Sequence, residues 1–99
     1  MIIEICLDSP DHAIQAQKYG ADRIELCANL PEGGTTPSAG CIATTREAVS
    51  IDLFVLIRPR SGHFYFNEKE VEQMRYNIDL CKKMGVDGVV IGLLNKDGS

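Results

Sequence analysis

MIIEICLDSPDHAIQAQKYGADRIELC, residues 1–27, holds two short apolar runs with the same ending, Glu4-Ile5-Cys6 and Glu25-Leu26-Cys27, 21 residues apart. Each run is rich in Ile and Leu and is bounded by polar or turn residues, which reads as a short strand. Between them Ser9 is placed to cap a helix with Pro10 at its first position, and Gly20 closes that helix after about Tyr19. Strand, helix and return to strand make one βα unit, and the Glu-x-Cys echo marks its period.

The pattern continues outward. After the loop ANLPEGGTTP, Ser38 caps a second helix reaching about Val49, and LFVLI (53–57) is a third strand. The loop RPRSGHFYF leads to Asn67, which with Glu70 three positions later forms a capping-box signature. Val71, Met74, Ile78 and Cys81 then recur at helical spacing, Gly85 ends the helix, and VDGVVIG (86–92) is a fourth strand. NKDGS (95–99) reads as a loop. The order β-α-β-α-β-α-β predicts an α/β fold with parallel strands joined by crossovers. Two architectures fit, a (βα)₈ TIM barrel or an open doubly wound sheet. The G-x-G-x-x-G turn of a dinucleotide fold is missing after the first strand, which disfavours the open sheet.

Side-chain alternation favours the barrel. In the first strand Glu4 and Cys6 share one face; in the second, Arg23, Glu25 and Cys27 do; in the third, Phe54, Leu56 and Arg58 oppose Leu53, Val55 and Ile57. An open α/β sheet is covered on both faces and tends to be apolar throughout, whereas a barrel interior can hold polar residues toward its C-terminal mouth.

Composition bounds the function. With 99 residues, 44% hydrophobic and 24% charged, the chain has globular composition for one small domain. The net charge is −4 and no basic cluster is denser than Arg58-Pro59-Arg60. Nucleic acid and anionic membranes are therefore not expected partners, while a small anion is compatible. The sequence opens without a basic segment and long apolar run, and no stretch approaches the roughly 20 apolar residues of a membrane span, so a soluble cytoplasmic protein is expected. Cys6, Cys27, Cys41 and Cys81 form no Cys-x-x-Cys pair. Neither a disulfide framework nor a sequential zinc motif is expected, and a metal site would have to be assembled by the fold.

Glu4 and Glu25 are candidate acid/base residues. Their other reading is structural: carboxylates on neighbouring strands neutralised by Arg23 and Arg58, since a buried charge needs a partner. Cys6 and Cys27 occupy equivalent positions on adjacent strands by the echo, so their sulfurs are expected to face one another across about 5 Å. Such a thiol pair suits Cu(I) or zinc, or else serves as small buried apolar groups. Cys41 and Cys81 read as packing residues, and His12 as exposed. Gly33, Gly34 and Thr35, with Thr36 and Ser38 beside a helix start, and Arg58, Arg60 and His63 across the mouth, form a candidate anion pocket.

EIC, GADRIELC, EGGTTPS, IRPRSG with FYF after it, and DGVVIG followed by DG match in order and spacing a known pattern. Over the whole chain they resemble the copper homeostasis protein CutC family. The resemblance implies a cytosolic (βα)₈ barrel associated with copper tolerance and copper binding, with copper ligands on Cys6 and Cys27 and polar mouth residues on Glu4, Glu25, Arg58 and Arg60. His63 stands where the family commonly has an acidic residue. The family is also about twice this length, and a barrel takes roughly 250 residues. Residues 1–99 are thus expected to be the N-terminal half of one barrel domain, with four βα units and two open edges. The chain would then be a truncated product, or a half that pairs with another copy or a second half-barrel. Three functions follow: Cu(I) handling, an enzyme acting on a small phosphorylated or carboxylated metabolite, or an inactive half of a fold.

Overall fold

The structure is a computed structural model describing residues 1–94. The NKDGS loop, including the Asp97-Gly98 pair, lies outside the described residues. Among the described residues four strands and three α-helices alternate: β1 (Glu4–Leu7), α1 (Pro10–Lys18), β2 (Arg23–Leu26), α2 (Ala39–Ala48), β3 (Asp52–Ile57), α3 (Glu68–Lys83) and β4 (Gly88–Ile91). The strands lie in the order β1-β2-β3-β4, every neighbouring pair parallel.

The helix boundaries follow from their caps. Ser9 accepts a hydrogen bond from the His12 amide at 3.2 Å, with Pro10 opening α1. Ser38 does the same for the Cys41 amide at 3.1 Å. At α3 the reciprocal box is complete: the Glu70 amide donates to Asn67 Oδ1 and the Asn67 amide to Glu70 Oε1, each at 2.9 Å. Gly85, with φ of 76°, follows α3 in the left-handed region that glycine adopts at little cost.

Burial separates the two sheet faces. Ile24, Leu26, Leu53, Val55 and Ile57 are fully buried and form one cluster with Ala13 of α1, Ile42 of α2, and Met74 and Cys81 of α3. All three helices thus cover one face, as in the wall of a barrel, and the polar face of Glu4, Cys6, Arg23 and Glu25 is turned away from them. Phe54 shares that face. It lies so close over its β4 neighbour Gly88 that a Cβ there would stand 2.8 Å from the ring. At the sheet margins Ile3 and Ile5 at β1, and Ile91 and Leu93 at β4, are exposed. A groove of about 560 Å³ runs between β1 and α1, and one of about 200 Å³ lies between α3 and β4. No helix among the described residues is long and apolar enough to cross a membrane.

Candidate functional site

The strand register decides which polar residues meet. Glu4 pairs with Arg23 and Cys6 with Glu25, an offset of 19 residues. The 21-residue echo had set Glu4 against Glu25 and Cys6 against Cys27. The echo measures the length of a βα unit, whereas the ladder measures how far β2 slides along β1. The difference is two residues, which keeps every side chain on its face and gives the stagger a closing barrel needs. Cys6 is therefore opposite Glu25, and Cys27 lies two residues further along.

The two glutamates have different partners. Glu4, the first residue of β1, receives Arg23 Nε at 2.6 Å, and the Arg23 guanidinium also sits 4.7 Å over the Phe54 ring. This pair lies at the N-terminal end of the strands. Glu25 sits one layer nearer the C-terminal ends, between two thiols: Cys6 Sγ donates to its Oε2 at 3.4 Å, and Cys27 Sγ approaches its Oε1 at 3.9 Å and its carbonyl at 3.8 Å. Burial, then the Glu25 hydrogen bond and the negative charges of Glu25 and Glu4, push the Cys6 thiol above its ordinary range. Burial, then Glu25, Cys6 and Asp8, push Cys27 up to about 12. Both cysteines are protonated thiols at neutral pH, and Glu25 is the acceptor they share.

The loop residues read as an anion pocket gather at the C-terminal end of the sheet, and their donors point into the protein. Asn29 is left-handed, a single 3-10 turn covers Leu30–Glu32, and Gly33 and Gly34 have φ of 89° and 92°. The Gly33 amide donates to the Leu30 carbonyl, Gly34 to Asn29, Thr35 to Ala28 and Thr36 to Arg58. Arg58 is buried. Its Nη1 donates to the carbonyls of Gly34 at 2.9 Å and Glu32 at 3.3 Å, and its Nη2 to Gly62 at 2.8 Å. Its Nε has no partner among the described residues. Arg60 Nε pairs with Glu70 at 2.6 Å, and its Nη groups reach the carbonyls of Ser61, His63 and Tyr65. His63 Nδ1 accepts the Tyr65 amide at 3.2 Å.

Three participants lie outside the residues read as the pocket. Phe64 and Phe66 carry the Arg58 and Arg60 guanidiniums at 4.6 and 4.7 Å, and Glu70 closes the ion pair with Arg60. The signal is present in the sequence: Arg-x-Arg is followed, six residues on, by Phe-x-Phe, so each arginine meets the aromatic ring with the same offset. Glu70 reads as a cap and is one. The same carboxylate also anchors Arg60, and its backbone bond from Asn67, then Arg60, hold it below the usual carboxylate range. Of the remaining cysteines, Cys81 is buried in the core as expected, and Cys41 Sγ rests 3.8 Å from the Asp8 carbonyl. His12 is exposed, 3.4 Å from Asp8.

The sequence and the fold both have close relatives. The family profile described as the CutC family matches residues 1–99. A human protein named copper homeostasis protein cutC homolog is 48% identical over 97 residues, covering 98% of this chain and 36% of that protein. A family protein CutC of Parabacteroides distasonis is 53% identical over 98 residues, 98% of this chain and 40% of that one. The crystal structure of the putative copper homeostasis protein CutC from Streptococcus agalactiae superposes with a TM-score of 0.90 at 34% identity, covering 98% of this chain and 48% of that chain. The chain therefore spans about two-fifths of these curated relatives, and its four parallel strands with their three helices correspond to about half of the solved chain.

Proposed function

The chain belongs to the CutC family, and on that premise we propose that it handles Cu(I), held between the thiols of Cys6 and Cys27. The observation that carries this reading is the shared carboxylate: two soft donors on one sheet face, both directed at Glu25. Soft thiolates select Cu(I), for which two are enough, whereas structural zinc takes four ligands. The two thiols therefore suit Cu(I) better than a structural zinc site. Binding requires both thiols to release their protons to solvent. A reducing cytosol keeps the thiols available.

The test is a Cu(I) titration against a chromophoric chelator. One ion per chain is expected for the native protein, and none for Cys6→Ser or Cys27→Ser. Unchanged binding in both variants rules the reading out.

In this reading residues 1–99 are the N-terminal half of one barrel domain, and a second half-barrel covers the margins at β1 and β4. Support comes from the apolar side chains exposed along both margins. Light scattering is expected to show a dimer or higher species for the chain alone; a folded monomer with protected core amides would contradict it.

A small phosphorylated or carboxylated metabolite is the second reading, with Glu25 as acid/base, since Glu4 is paired with Arg23 at the far end of the strands. What favours it is Arg58 Nε, buried without a partner among the described residues at the end of the sheet where Gly33, Gly34, Thr35, Arg60 and His63 gather. Titration with inorganic phosphate followed by amide NMR shifts is the check, and no movement over residues 33–35 and 58–63 removes this reading.

A further inference from the structure

We infer that Arg58 is a positioning residue that locks the loop between β2 and α2 down over the Cys27 thiol, so that the two thiols of the site differ in access. Arg58 ties two loops together. Its guanidinium takes the carbonyls of Glu32 and Gly34 from the β2–α2 loop and of Gly62 from the β3–α3 loop. Its own backbone is held by Thr36, whose Oγ1 accepts the Arg58 amide at 2.8 Å while the Thr36 amide donates to the Arg58 carbonyl at 3.0 Å. The contact is close enough that a Cβ at Gly33 would stand 3.1 Å from Nη1.

Gly34 transmits this hold to the site. A Cβ at Gly34 would lie 3.7 Å from Cys27 Sγ and 2.9 Å from Leu56 Cδ2, so the Gly34 backbone rests directly on the thiol. The carbonyl of that residue is the one Arg58 grips at 2.9 Å. Cys27 is accordingly only 3% exposed, while Cys6, which shares the same carboxylate, is exposed on the margin strand. The loop has bonds of its own, the Ala28–Thr35 bridge and the turn that Gly33 and Gly34 close onto Leu30 and Asn29. It can therefore lift as a unit when its docking to Arg58 is lost.

The inference touches the copper reading in one respect: an incoming ion meets Cys6 first and reaches Cys27 when the loop lifts. Its test contains no metal, so failure of the copper reading leaves it standing. Iodoacetamide labelling of the folded chain, resolved by peptide mass spectrometry, gives a rate for each cysteine. In the native chain Cys6 is expected to label fast, and Cys27 and Cys81 slowly. In Arg58→Ala the Cys27 rate is expected to rise about tenfold or more, since losing even one hydrogen bond to a charged group shifts a local opening by that factor. Cys81, 1% exposed in the core under α3, reports general loosening and is expected to stay slow. An unchanged Cys27 rate, or a parallel rise at Cys81, overturns the inference. Should Arg58→Ala fail to fold, Gly34→Ala displaces the loop with Arg58 intact. It is expected to expose Cys27 in the same way, and continued protection of Cys27 there overturns the inference as well.

Discussion

Cys6 and Glu25 are register partners across β1 and β2, and the Cys6 thiol donates to Glu25 Oε2 at 3.4 Å. The same carboxylate is approached by Cys27 from two residues further along β2. Burial raises both thiols most, and this one negative charge, near both, adds to it by opposing their ionisation.

Removing that charge is expected to favour the metal. In Glu25→Gln both thiols lose a neighbouring anion, their pKa values fall, and each unit of fall raises the thiolate fraction at pH 7 about tenfold. Cu(I) affinity at pH 7, measured by chelator competition, is expected to increase. A decrease would instead make Glu25 itself a ligand.

Affinity is expected to climb with pH. Because both thiols are protonated at pH 7, with Cys27 pushed up to about 12, each Cu–S bond releases one proton. The apparent log affinity should rise by up to about two units per pH unit through the neutral range, as expected for the release of two protons. A flat profile between pH 6 and 8 would show that the ion is held elsewhere.

No Cys6–Cys27 disulfide is expected. Parallel strands stand about 4.8 Å apart and two residues advance about 6.6 Å, so this diagonal separates the Cα atoms by about 8 Å. Disulfides accept no more than about 7 Å. Mild oxidation followed by non-reducing peptide mapping should leave the pair unlinked.

Gly88→Ala is expected to destabilise the sheet by about 1–3 kcal/mol through overpacking. Its Cβ would stand 2.8 to 3.0 Å from three atoms of the Phe54 ring. Urea unfolding should show the loss in the native background and a much smaller one in Phe54→Ala; equal losses in both would place the strain elsewhere.

Asp87 carries a pH dependence. Its carboxylate accepts the Leu53 amide at 2.8 Å and Arg46 Nη1 at 2.7 Å, and these bonds, the backbone one first, hold it below the usual carboxylate range. A carboxyl lowered in this way contributes stability above its unfolded pKa, near about 3.9, and loses that contribution as pH falls through the folded value. Asp87→Asn should lower the melting temperature at pH 7 and flatten the acid branch below about pH 4. An acid branch as steep as that of the native chain would assign the titration to other carboxyls.

Much of this was legible in the residues. Ser9-Pro10, Ser38 and the Asn67–Glu70 box opened helices where local hydrogen bonding dictates, and the apolar stripe through Met74 and Cys81 faced the core because helical spacing puts it there. Alternation along β2 and β3 sorted Ile24, Leu26, Leu53, Val55 and Ile57 from the polar face. The arginines were harder to read. Arg58 and Arg60 look like free anion forks in sequence, because nothing local announces that carbonyls of Glu32, Gly34, Gly62 and His63 will converge on them.

The βα repeat and the face each strand residue occupies are legible in the residues, because caps, spacing and period-two alternation are local properties of the chain, and the family shows in its motifs. Tertiary structure alone decided that Cys6 meets Glu25, that Glu4 is neutralised by Arg23, and that Gly34 rests on Cys27. Those pairings depend on how far one strand slides along the next. A slide of two residues leaves every face unchanged, so alternation cannot detect it; the inter-strand ladder fixes it.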